Sequence, residues 1–152
     1  MNAKKHTALV GLAVCALALA ALGSAKNPVT RPTKGTGHAT VVVDLGTLEC
    51  QFTQWGQGTH LGCWTDSGKG VMANDFTYFV SGHGTIVAAN GDTIDWEFTG
   101  PNSNRYTGGS GRFQGVTGGV TFTITSATDP VFNGDGTMTL EFTYDMVGEV
   151  TY

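Results

Sequence analysis

Between Tyr106 and Thr125 the chain reads Y-T-G-G-S-G-R-F-Q-G-V-T-G-G-V-T-F-T-I-T. Gly108, Gly109, Gly111, Gly115, Gly118 and Gly119 crowd into this run. In a helix interior each would cost up to about 1 kcal/mol relative to alanine. They suit a chain that takes positive φ, bulges, or brings two backbones close together. The run then passes into strict alternation, with Val120, Phe122 and Ile124 on one side and Thr121, Thr123 and Thr125 on the other, which is the period of a strand. The expected structure is a tight double turn whose one aromatic, Phe113, plugs the end of a core. A phosphate-cradling loop would need a helix after it and usually a lysine. Here a threonine-rich strand follows, and the run holds no lysine.

The rest of the chain repeats this style. Ala39 to Asp44, Thr47 to Trp55 and Thr59 to Thr65 read as strands, Gly68 to Gly70 as a turn, and Val71 to Ala73 as a short strand. Phe76 to Ala89 reads as one long strand or two, with Phe76, Tyr78, Val80, Gly82, Gly84, Ile86 and Ala88 sharing a face. Asn90-Gly91 is a strong hairpin signal leading to Thr93–Thr99. Thr137 to Met146 alternates again. The inward set is expected to be Val41, Val43, Tyr78, Val80, Ile86, Trp96, Phe98, Val120, Phe122, Ile124, Leu140, Phe142 and Tyr144. About eight short strands without helices suit an all-β barrel or sandwich. A barrel of eight has an interior filled by side chains, or room for one small ligand.

The segment Gly108-Gly109-Ser110-Gly111-Arg112-Phe113-Gln114-Gly115, followed by Gly118-Gly119-Val120, resembles the G-G-S-G-x-F-x-G-x-x-G-x-V segment of plant allene oxide cyclases. Dirigent proteins carry a looser G-G-T-G-x-F. With Gly58-Thr59-His60-Leu61-Gly62 and Asn90-Gly91-Asp92, the pattern also resembles small secreted proteins of the same barrel. The resemblance implies an antiparallel closed barrel of about eight strands, calycin-like, with no helix in the mature domain. The cyclases' catalytic residues come from other strands and have no counterpart here.

Residues 1–25 read as a signal peptide: Lys4 and Lys5, an apolar run from Thr7 to Leu22, and small residues at Gly23, Ser24 and Ala25. The run is short for a membrane span, which needs about 20 residues. Cys15 follows the bulky Val14, unlike a lipidation site. The chain is therefore expected to be secreted or periplasmic, with a flexible linker at 26–37 and one barrel domain at 38–152. From His38 onward only Lys69, Arg105 and Arg112 stand against all twelve acidic residues, a net charge of −9. Such a surface repels phosphate backbones and anionic headgroups, so no nucleic acid or membrane partner is expected. Cys50 and Cys63 remain after cleavage, and an isolated pair in an exported chain is most simply a disulfide.

The candidate chemistry is sparse. Asp95 and Glu97 share a strand face but sit among threonines, so a solvated edge is expected. Asp129, Asn133 and Asp135 match no calcium-loop spacing and read as an Asx-type turn. No metal site, cofactor motif or catalytic set is expected. His83 falls on the polar face. Trp64, Trp96 and His60 are the candidate ligand contacts, with Trp64 or Trp96 near a barrel mouth. The expected function is a non-catalytic binding or interaction module, with a small apolar ligand or a protein as partner. The alternatives are a cyclase-like isomerase and a lipocalin-like carrier. An isomerase needs an open, partly apolar pocket with a perturbed carboxylate, cysteine or tyrosine. A carrier needs the pocket alone.

Overall fold

The structure, a computed structural model, describes residues 27–152; the expected signal peptide lies outside them. Nine strands follow one another: β1 (Thr30–Asp44), β2 (Glu49–Gly58), β3 (Gly62–Met72), β4 (Phe79–Val87), β5 (Thr93–Gly100), β6 (Ser103–Gly109), β7 (Thr117–Ala127), β8 (Val131–Phe132) and β9 (Thr137–Thr151). The order is β1-β2-β3-β4-β5-β6-β7-β9-β8, and β9 returns to pair with β1. Every pairing is antiparallel. This is a closed eight-strand antiparallel barrel, with β8 as a two-residue extra strand on β9. Closure removes the sheet edges that an open meander would expose. Among the described residues the only helical turn is a 3-10 turn, Gly111–Phe113.

The barrel begins earlier than the expected linker boundary. Residues 30–37 form the first half of β1 and pair with Tyr144–Thr151. Thr33 is buried. Its hydroxyl packs against that of Thr59, 3.3 Å away. Pro32, the positive charges of Arg31 and Lys34, and a polar composition hide this strand. Pro32 is tolerated because β2 joins β1 only from Gly35 onward, so the missing N–H lies where β9 is the only neighbour.

Gly68 and Gly70 are not a turn either. They lie inside β3, opposite Gly84 and Gly82 of β4, where the wall bends and two backbones approach closely. A register shift between Val71 and Met72 then pairs Met72 with Phe79. The extra residue reverses the parity expected for the Phe76–Val80 part of the Phe76–Ala89 stretch, while Ile86 and Ala88 beyond it are buried as expected. Phe79 is therefore buried, while Tyr78 and Val80 are exposed at 40% and 60%. Ile124, at 47%, is also outside the core, because β7 shifts register at Ile124/Ser126 as it leaves the barrel. Phe98, Phe122, Leu140 and Phe142 are partly buried against the core, and the remaining members of the expected inward set are buried.

The two ends differ. At one end the turn after β6 folds over the barrel with Phe113 fully buried beneath it. Gly115 and Gly118 take φ of 75° and 110° in this turn, the left-handed region that glycine enters without a steric cost. Phe113 meets the Tyr152 ring at 5.1 Å. Leu61, Val116 and Val150 are buried around it. Arg112 fastens the cover by donating to the His60 carbonyl at 2.5 Å and lying 3.6 Å from Asp92. At the other end Phe76, Tyr78, Ile124 and Leu140 ring an apolar mouth of about 120 Å³.

Candidate functional site

Inside the barrel, inward side chains of β2, β3, β5 and β9 meet around a cavity of about 40 Å³. One charged residue lies in it. Asp66 is 6% exposed and sits opposite Gln54 on β2 and Ile86 on β4. Its Oδ2 accepts hydrogen bonds from Trp96 Nε1 at 3.0 Å and Gln54 Nε2 at 3.1 Å. The Tyr144 hydroxyl donates to Gln54 Oε1, completing a chain across four strands, β5, β3, β2 and β9. Trp64 lines the same cavity, and its Nε1 and Asp66 Oδ1 are buried and make no hydrogen bond within the described residues. Buried polar atoms left this way cost about 1–3 kcal/mol each.

Two glycines make the arrangement possible. The Tyr144 ring lies over Gly37 of β1, where any Cβ would collide with it, and so reaches Gln54. Asp66 Oδ1 and the Trp96 ring lie over Gly84, each 2.9 Å from where a Cβ would stand. The aromatic wall continues through Phe52, stacked on Trp96 at 5.6 Å, and Phe79, stacked on Phe98 at 4.6 Å. Phe79, Phe122 and Phe142 line both the inner cavity and the mouth, so they form the partition between them.

Burial pushes the Asp66 carboxyl up to about 7, against the opposing pull of the Trp96 N–H. The Tyr144 phenol is also held well above its ordinary value, first by burial and then by the Asp66 charge. A carboxyl that titrates near neutrality can donate or accept a proton there.

The cavity brings Trp64 and Trp96 together, both buried, but not His60. His60 belongs to the covered end, in a turn with φ of 68°. Its ring contacts the Pro32 carbonyl at 3.1 Å and the Tyr152 hydroxyl at 3.4 Å. Trp55 is on the outer wall, 62% exposed and stacked on His38.

The expected Cys50–Cys63 disulfide does not form, and both thiols are free. Cys50 faces inward opposite Gly70, whereas Cys63 is exposed opposite Gln57. Seven residues of strand separate Cys50 from Gln57, roughly 23 Å, far beyond the reach of a disulfide. Burial pushes the Cys50 thiol up to about 11, which disfavours the reactive thiolate.

Outside, Glu97 pairs with Arg105 at 2.6 Å and Asp95 accepts from Thr85 at 2.7 Å. Asp135 caps Thr137 within its turn. No group of metal-ligating side chains occurs among the described residues.

Asp66 and Gln54 were legible but missed. Asp66 lies two residues beyond Trp64, on the same strand face, and Gln54 two beyond Phe52; ending the third strand at Thr65 hid the first of them.

A filled eight-strand barrel with one covered end, one apolar mouth and a single buried acid is the class that fold and site define. Comparison with protein-family models finds no match to this chain, and comparison with curated proteins finds none either.

Proposed function

We propose that this chain is an exported, non-catalytic binding barrel of allene oxide cyclase- or dirigent-like type, whose mouth takes a small apolar molecule. The observation that carries this reading is the asymmetry of the ends. One is plugged by Phe113, and the other is an apolar mouth walled by exposed or half-buried Phe76, Tyr78, Ile124 and Leu140. Exposed apolar side chains grouped around a concavity are the usual mark of a ligand site. The inner cavity is far below the 300–1,000 Å³ or so of drug-sized sites, which favours a ligand seated in the mouth over one enclosed. The basic start, apolar run and small residues of 1–25 support export, and the G-G-S-G-R-F-Q-G run supports the family reading.

Titration with N-phenyl-1-naphthylamine, a neutral fluorescent probe, tests the site. Saturable enhancement is expected. Ile124→Arg should weaken it about tenfold or more, because a charge is costly in an apolar site. Val147→Arg, on the outer wall and 58% exposed, should leave it unchanged. Absence of saturable binding, or equal effects of both variants, rejects the reading.

One observation favours an isomerase instead: the Asp66 carboxyl, raised to about 7 within an aromatic-lined cavity. That reading requires turnover of an apolar substrate that Asp66→Asn abolishes while probe binding persists.

A further inference from the structure

This inference rests on the binding reading above and specifies what the inner cavity behind that mouth adds to the ligand's chemistry. We propose that Asp66 and Trp64 together receive a hydroxyl group, so that the barrel selects small apolar alcohols over their carboxylate and fluoro counterparts. Two buried polar atoms carry the argument, Trp64 Nε1 and Asp66 Oδ1. Their residues both line the inner cavity, and neither atom has a partner within the described residues. The indole nitrogen can only donate. Asp66 Oδ2 is already engaged by Trp96 and Gln54, so Oδ1 is the oxygen left to meet a ligand.

A hydroxyl is the smallest group that satisfies both atoms. It accepts from the indole N–H and donates to the carboxylate oxygen. A fluorine cannot donate. A ligand carboxylate brings a second negative charge beside Asp66 in a site shielded from water. The only other titratable groups among the described cavity-lining residues is the Tyr144 phenol, which stays neutral and is turned toward Gln54. Size gives the same answer. A water needs about 10–15 Å³, so about 40 Å³ admits a head group of a few atoms. The apolar remainder reaches the mouth only where the Phe79, Phe122 and Phe142 side chains that part the two spaces swing aside.

The test uses 1-octanol, 1-fluorooctane and octanoate, titrated by NMR at pH 8 into the wild type, Asp66→Asn and Trp64→Phe, with thermal unfolding to confirm that each variant folds. A site built around hydrogen bonds rejects analogues that cannot make them. Wild type should therefore prefer 1-octanol to both analogues by at least about tenfold. Trp64→Phe should remove most of the preference over 1-fluorooctane. Asp66→Asn should raise octanoate affinity relative to 1-octanol, and if it fails to fold the indole variant still decides. Equal affinity for 1-octanol and 1-fluorooctane, or a preference that neither variant moves, overturns the hydroxyl assignment and leaves the binding reading intact. Failure of all three compounds to bind overturns both.

Discussion

Asp66 costs the fold something that depends on pH. Its carboxyl titrates near 7 in the barrel against 3.8 for an unburied aspartate, so between these values the folded chain holds a proton that the unfolded chain has lost. Stability therefore falls as pH rises from about 4 to about 7, by an amount of the order of a few kcal/mol. Asp44, Asp75, Asp92 and Asp135 are shifted the other way by hydrogen bonds, Asp44 by the Thr47 amide first and Asp75 by the Thr77 hydroxyl first. Their contributions are lost only below about 4, outside the window in which Asp66 acts. Thermal unfolding at pH 4.5 and 7.5 should show wild type more stable at the lower pH and Asp66→Asn nearly insensitive. A wild type more stable at pH 7.5 would contradict the buried acid. The same residue shows how far side-chain roles could be read. Trp64 and Trp96 were found because tryptophans announce themselves. An aspartate two residues further along the same face announces nothing until the strand is known to continue.

At the scale of elements, period-two alternation was legible wherever strands stayed regular. β5 and β9 carry Ile94, Trp96, Leu140, Phe142 and Tyr144 inward as expected, because the extra residues beside them fall on the facing strands, Thr107 of β6 and Thr125 of β7. β4 was misread because one extra residue against β3 turns Phe79 inward and Val80 outward, and bulges leave no fixed sequence mark. The start of β1 was hidden by its composition. The glycine turn was legible as a turn, and its aromatic is the element's main energetic contribution. Phe113→Ala should cost about 3–5 kcal/mol in urea unfolding, as for other buried phenylalanines. Phe122→Ala should cost less, since Phe122 is only partly buried beside the mouth. Equal losses would mean that the turn does not seal the barrel.

The whole molecule is held by one long seam. β1 and β9 pair without interruption from Thr30↔Thr151 to Asp44↔Thr137, joining segments at opposite ends of the described chain. Deleting residues 26–37, harmless had they been a linker, removes the half of the seam that faces Tyr144–Thr151. At about 0.5–1.5 kcal/mol net for each ladder hydrogen bond, the loss should be several kcal/mol, seen as a lower urea midpoint; an unchanged midpoint would restore the linker reading. The seam also sets an order of events. Contacts between residues more than a hundred positions apart carry the largest loop-closure cost and belong to the slowest-folding topologies. A growing chain has the strands of an open meander long before it has the one that shuts it. Until β9 leaves the ribosome, β1 and β7 are unprotected edges, each able to pair with a neighbouring chain. The fifteen residues of β9 thus decide whether the chain closes on itself or is left open to pair with its neighbours.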